Sequence, residues 1–161
     1  MVGYLRLFSL TLPLLLISAG LANSANAENA EIQMAATGSF DVQMTPHKHD
    51  SVDVGRIVIQ KQYKGDMVGT GSGQMLTERT SVKGSAGYVA IEHFTGSVNG
   101  QTGSFTLQHS GLMNRGAQSL SILIVPDSGN DGLKGISGTM QIDLSNGEHS
   151  YALDYQISEE N

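Results

Sequence analysis

The sequence predicts an all-β domain: a single eight-stranded antiparallel barrel, preceded by a cleavable signal peptide. Three observations predict it. After residue 35 apolar and polar residues alternate through most of the chain, the period of a half-buried strand. No stretch there repeats apolar residues at helical spacing over about ten residues. Two Asn-Gly dipeptides, 99–100 and 146–147, each stand between alternating runs, the strongest short-range hairpin signal. Antiparallel strands joined by short loops close naturally into a barrel, and closure removes the edges that would otherwise pair with other chains. A two-sheet sandwich is the alternative.

The first 27 residues stand apart from this domain. Arg6 supplies a positive start, Leu7 to Ala22 an apolar core, and Ala25-Asn26-Ala27 a small-x-small cleavage site. A membrane anchor is the other reading. Pro13 and the short apolar run argue against it, since a spanning helix needs about 20 apolar residues. The expected mature chain begins at Glu28, is periplasmic or secreted, and has no membrane contact after cleavage. Residues 28–35 read as a disordered lead, residues 36–158 as the barrel, and residues 159–161 as a disordered tail.

Ala36 to Thr45 alternates, with Phe40, Val42 and Met44 on one side, and Pro46 ends it. The polar run from His47 to Asp53 is a loop. Gly55 to Lys64 is a second strand, with Ile57, Ile59, Lys61 and Tyr63 on one face. Gly65-Asp66 turns the chain into Met67 to Thr77, where Gly69, Gly71 and Gly73 leave one face bare. A bare face admits a backbone, a bulky neighbour or a ligand; strand curvature at a barrel corner is the equal alternative.

The hairpin around Asn99-Gly100 organises the rest. With a two-residue loop, Val98 pairs with Gln101, so Phe94 faces Phe105, Glu92 faces Leu107, Ala90 faces His109 and Tyr88 faces Gly111, all on one side. Thr95, His93, Ile91 and Val89 pair with Ser104, Thr106, Gln108 and Ser110 on the other. Ser119 to Val125 is apolar on both faces apart from its serines and should be covered on both. Pro126-Asp127-Ser128-Gly129 is a turn. Ile136 to Leu144 and the last strand flank Asn146-Gly147, which pairs Ile142 with Tyr151, Met140 with Leu153 and Gly138 with Tyr155.

Composition narrows the function classes. The chain has 9 Lys and Arg against 15 Asp and Glu, a net charge of −6, and no electrostatic footprint for nucleic acid or anionic lipid. It has no cysteine, which excludes thiol catalysis, disulfides and lipid attachment through cysteine, so the core alone must hold the fold. No G-x-S-x-G elbow exists, because the Gly-Ser-Gly of residues 71–73 lies inside a strand pattern. The same glycines are not a phosphate loop, since no Gly-Lys-Ser/Thr ending and no helix follow. His47-Lys48-His49-Asp50 offers too few ligands for a zinc site, so neither a metal nor another cofactor is expected.

The blocks GDMVGTGSGQML (65–76), KGSAGYVAIEHFTGSVNGQTGSFTLQHSG (83–111) and VPDSGNDGLKGISGTMQID (125–143) resemble a bacterial domain-of-unknown-function family, number 3224. The resemblance spans Thr37 to Ile157. It implies a barrel similar to plant allene oxide cyclase, eight strands around a central cavity. Members mostly begin near the first strand, and this chain departs from them by its export signal. The wider group of such barrels includes cyclases that fold a reactive chain inside the barrel and dirigent proteins that steer radical coupling. That analogy is one of fold, which does not carry function.

The candidate site follows from the hairpin. Glu92 and His109 are diagonal neighbours on one face, about 7–8 Å apart at the backbone and within reach of each other. A carboxyl–imidazole pair in a dry pocket can do acid–base catalysis or orient a ligand oxygen; a solvated outer face or a satisfied core contact is the structural alternative. Tyr88, Phe94, Phe105 and Leu107 share that face as candidate ligand contacts. Lys61 is a candidate partner for Glu92 or for a ligand carboxylate, unless it snorkels out at a rim. Arg115, in a Gly-bounded loop, is a candidate anion contact at a barrel mouth or a plain surface arginine. Three functions stay open: a binding module for a small apolar or amphipathic molecule, a cyclase- or isomerase-like enzyme that templates a reactive ligand, and a structural or homo-oligomer-forming protein with a filled barrel.

Overall fold

The computed structural model describes residues 32–47, 54–144 and 147–158. The segment 1–27 expected as a signal peptide, residues 28–31 of the expected lead, Lys48-His49-Asp50, Asn146 and residues 159–161 of the expected tail lie outside the described residues.

The strands are β1 (Met34–His47), β2 (Gly55–Gly65), β3 (Met67–Arg79), β4 (Ala86–Val98), β5 (Gln101–Asn114), β6 (Ala117–Ile124), β7 (Asn130–Asp131), β8 (Ile136–Asp143) and β9 (His149–Ile157). Eight of them run antiparallel in the order β4-β3-β2-β1-β9-β8-β6-β5, and β4 pairs with β5, so the sheet closes into a barrel. Closure through β1 and β9 pairs Ala36 with Leu153 and Gly38 with Tyr151. That rules out the sandwich. The two-residue β7 only adds to β5 at Gly103 and Ser104. There is no helix among the described residues.

The central hairpin has the register its turn dictates, from Val98 with Gln101 to Tyr88 with Gly111. Asn99 and Gly100 both adopt positive φ, 48° and 83°, the mirror-image turn that matches strand twist. Asn99 Nδ2 also donates to Ala35 O and Tyr155 OH, each at 3.0 Å, tying the hairpin tip to the opposite strands. The β8–β9 register is likewise the expected one, Ile142 with Tyr151 and Met140 with Leu153.

Side-chain alternation puts Phe94 and Val98 of β4 and Phe105 and Leu107 of β5 inside. With Tyr63, Met67, Tyr151, Leu153 and Tyr155 they fill the end of the barrel that carries the β2–β3 and β4–β5 turns. Tyr151 braces this end from within. Its OH accepts from Met67 N at 2.8 Å and lies 3.1 Å from Thr37 O, a backbone acceptor. Leu133, in the connection after β6, is fully buried there too. The turn pattern around residues 126–135 hides this plug, because one apolar residue among turn formers has no period.

One expectation is corrected. The sequence predicts cover on both faces of Ser119 to Val125, but the structure gives it on one. Ile122 and Ile124 are buried inside, whereas Leu123 points outward and is 47 % exposed. The connections after this strand stay at the barrel end, so nothing packs over its outer face.

Candidate functional site

The filled end stops at a cluster of polar side chains. Glu92 on β4 is fully buried, and Lys61 on β2 and His109 on β5 are 8 % and 5 % exposed. Lys61 Nζ donates to Glu92 Oε2 at 2.7 Å, and the Tyr63 hydroxyl donates to Glu92 Oε1 at 2.8 Å. Lys61 Nζ also lies 3.3 Å from Tyr63 OH and 4.5 Å from the Phe40 ring centre, over its face. His109 Nε2 approaches Glu92 Oε2 to 3.1 Å. The approach does not have hydrogen-bond alignment, so Nε2 is left without a hydrogen-bond partner.

β2 and β4 are not neighbours, since β3 runs between them. Gly71 makes the cluster possible. A Cβ at residue 71 would collide with Glu92 Oε1 and crowd Tyr63 Cε2. The bare position on β3 lets side chains from β2 and β4 meet over it. At Gly69 and Gly73 a Cβ would instead meet the backbone of β4, so there the missing side chains serve tight strand curvature. Both readings of the glycine row hold, at different positions.

Electrostatics set the protonation states. Burial pushes the Glu92 carboxyl up, but the His109 contact and the Lys61 ammonium outweigh it and hold the group down to about 2. Burial, followed by the adjacent Glu92 charge and the hydrogen bond to it, pushes the Tyr63 phenol far above its ordinary range. Tyr63 therefore stays a donor. Glu92 is an anion with both oxygens engaged, and a carboxylate held that low is a weak base at neutral pH.

Beyond Lys61 and His109 the barrel is hollow. A cavity of about 720 Å³ opens toward the other end, walled by Val42, Met44, Ile57, Ile59, Met75 and Leu120. Glu92 lies beneath its floor and does not line it, while Lys61, His109 and Tyr88 do. Burial pushes the Tyr88 phenol up. Its ring packs on Gly111, where a Cβ would collide with Tyr88 Cε1. Arg79 and Lys83 stand at the mouth on β3 and the loop after it, and His149 lines the wall beside Phe40, ring centres 5.1 Å apart.

The structure thus gathers Glu92, His109 and Lys61 at the cavity floor, and Tyr88 lines the cavity four residues along β4 toward the mouth. Phe94, Phe105 and Leu107 also point inward, but they pack in the filled end and do not line the cavity. Arg115 is exposed in the β5–β6 turn, outside the lining. Its backbone N–H donates to Ser85 Oγ at 3.1 Å, and Gly116 N donates to Gly84 O at 3.0 Å, which joins this turn to the mouth loop. Among the described residues no group of three or more His, Asp or Glu is placed to hold a metal ion.

Sequence reasoning missed Tyr63 as a partner of Glu92, and Arg79, Lys83 and His149 as mouth and wall groups. Lys61 and Tyr63 share a face by simple alternation. The glycine row was the only signal that this face reaches β4.

The comparisons agree with this barrel. The family described as "Protein of unknown function (DUF3224)" matches residues 36–155. A crystal structure of a protein with unknown function from that family, from Shewanella oneidensis MR-1, is 39% identical and superposes with a TM-score of 0.76, covering 80% of this chain and 100% of that one. No curated protein matches the chain. Matched over nearly the whole barrel and sharing its fold with that relative, the chain belongs to the DUF3224 family.

Proposed function

We propose that the protein binds one small apolar or amphipathic molecule in the open half of the barrel. One observation carries this reading: the barrel is packed solid at one end and hollow at the other, with about 720 Å³ behind an apolar wall. Eight-stranded barrels either fill with side chains or hold one small ligand, and that volume suits a drug-sized molecule. The hollow end speaks against a purely structural, filled barrel. The engaged, weakly basic Glu92 favours binding over acid–base chemistry.

A templating enzyme of cyclase or isomerase type is the second reading. It draws on His109 Nε2, which lacks an aligned partner, and on the Tyr88 phenol, both facing the cavity. The resemblance to allene oxide cyclase-like barrels supports it at the level of fold alone. In both readings the protein is exported, on the strength of Arg6, the apolar run and Ala25-Asn26-Ala27.

The test is native mass spectrometry of protein purified from its producing cell. A retained small molecule of discrete mass is expected, and Leu120→Trp, which fills the cavity, should lose it. A bare wild-type mass, with no thermal stabilisation by any of a panel of medium-chain hydrocarbons, alcohols and acids, would overturn the proposal. Release of the molecule chemically altered would favour the enzyme.

A further inference from the structure

We infer that the ligand is an anionic amphiphile bound with its acid group outward, at Arg79 and Lys83 on the cavity mouth, and its hydrocarbon body inside the barrel. The inference rests on the binding reading above and adds the sign of the ligand's charge and its orientation.

The sign comes from the lining. The chain carries 15 Asp and Glu against 9 Lys and Arg. Yet the described residues around the cavity include Lys61, Arg79 and Lys83 and not one Asp or Glu. An acid-rich chain whose described residues place no acid in the lining of this apolar cavity has sorted its charges. Cations of one sign above low-dielectric walls raise the local concentration of anions.

The orientation comes from which cations are free. Lys61 is already neutralised by Glu92 at 2.7 Å, with Tyr63 and the Phe40 face around it. A second anion at the floor would lose its water and meet the Glu92 carboxylate directly behind Lys61 and His109, a like-charge contact in a buried place. Arg79 and Lys83 have no ion pair among the described residues, and both are exposed. An acid group beside them gains two cations and keeps part of its hydration. Between mouth and floor Val42, Met44, Ile57, Ile59 and Met75 offer apolar surface. Head out and body in leaves no charge buried without a partner.

Three probes of equal chain length separate the possibilities: dodecanoate, dodecanol and dodecyltrimethylammonium. Each is titrated calorimetrically, below its micelle concentration, into purified protein stripped of any retained molecule. Dodecanoate should bind about tenfold tighter than dodecanol, the effect of two exposed charge contacts. Dodecyltrimethylammonium should bind weakest, and added salt should weaken dodecanoate alone. The double variant Arg79→Gln/Lys83→Gln should bring dodecanoate down to the dodecanol level. Equal affinity for the three probes overturns the inferred charge while leaving the binding reading standing. Dodecanoate unaffected by the double variant overturns the orientation, since the acid group must then sit elsewhere. No binding of any probe overturns the inference and the binding reading together.

Discussion

Replacing Glu92 by Gln keeps the side-chain shape and removes the charge at the centre of the buried cluster. In the wild type the carboxyl is held at about 2 instead of 4.5. At about 1.4 kcal/mol per pH unit, this is about 3 kcal/mol of preference for the charged form in the folded protein. Because the folded value lies below the unfolded one, that stability is fully present well above pH 4.5 and is lost as the pH falls through 4.5 toward 2. By pH 3 about 2 kcal/mol of it is gone. In Glu92→Gln the Lys61 ammonium is left buried against Tyr63 and the Phe40 face. Removing one partner of a buried pair costs about 3–5 kcal/mol, and the aromatic face offsets about 1 of that. The expected loss at neutral pH is therefore about 3 kcal/mol, within the roughly 5–15 kcal/mol that holds a domain together, so the variant still folds. Urea unfolding followed by near-ultraviolet circular dichroism, at pH 7 and pH 3, measures both quantities. Glu92→Gln should start about 3 kcal/mol weaker and lose about 2 kcal/mol less than the wild type between the two pH values. A loss under about 1 kcal/mol at pH 7, or an unchanged pH 7 to pH 3 difference, would refute the picture of a buried, charge-stabilised carboxylate.

Three further outcomes follow from the same geometry. His93, between Glu92 and Phe94 on β4 but on the outer face, has its ring 3.3 Å from Thr106 Oγ1; His93→Gln should change stability by less than about 0.5 kcal/mol in the same urea assay. Gly71→Ala places a methyl group against Glu92 Oε1; it should cost about 1–3 kcal/mol and flatten the acid limb, because the carboxylate must give up the Tyr63 hydroxyl and shift from its place against Lys61. Tyr151→Phe removes the acceptor of Met67 N; an unpaired buried N–H should cost about 1–3 kcal/mol, with faster amide hydrogen exchange at Met67 as its local signature. For export, the intact mass of protein from the producing cell should match a chain beginning at Glu28, and a mature protein retaining Leu7 to Leu21 would sink the periplasmic assignment.

The hairpin registers were legible in the sequence because they are local. An Asn-Gly turn sets which residues face each other, and alternation then carries the pairing outward, so Phe94 opposite Phe105 and Ala90 opposite His109 needed no tertiary knowledge. The same alternation put Glu92 and His109 on one face. The tertiary structure alone decided which part of that face is packed and which is hollow. Phe94, Phe105 and Leu107 sit on the same strands as His109 and Tyr88, but the Leu133 plug and the aromatic cluster fill only their end. That depends on a connection with no periodicity of its own. Lys61 was open in the sequence as one candidate partner of Glu92, but Tyr63 was not, and only the fold decided, since β2 meets β4 across the missing side chain of Gly71. Pairing between adjacent strands is written in sequence period. Contact across an intervening strand depends on curvature and on what is absent, and those arise only when the barrel closes.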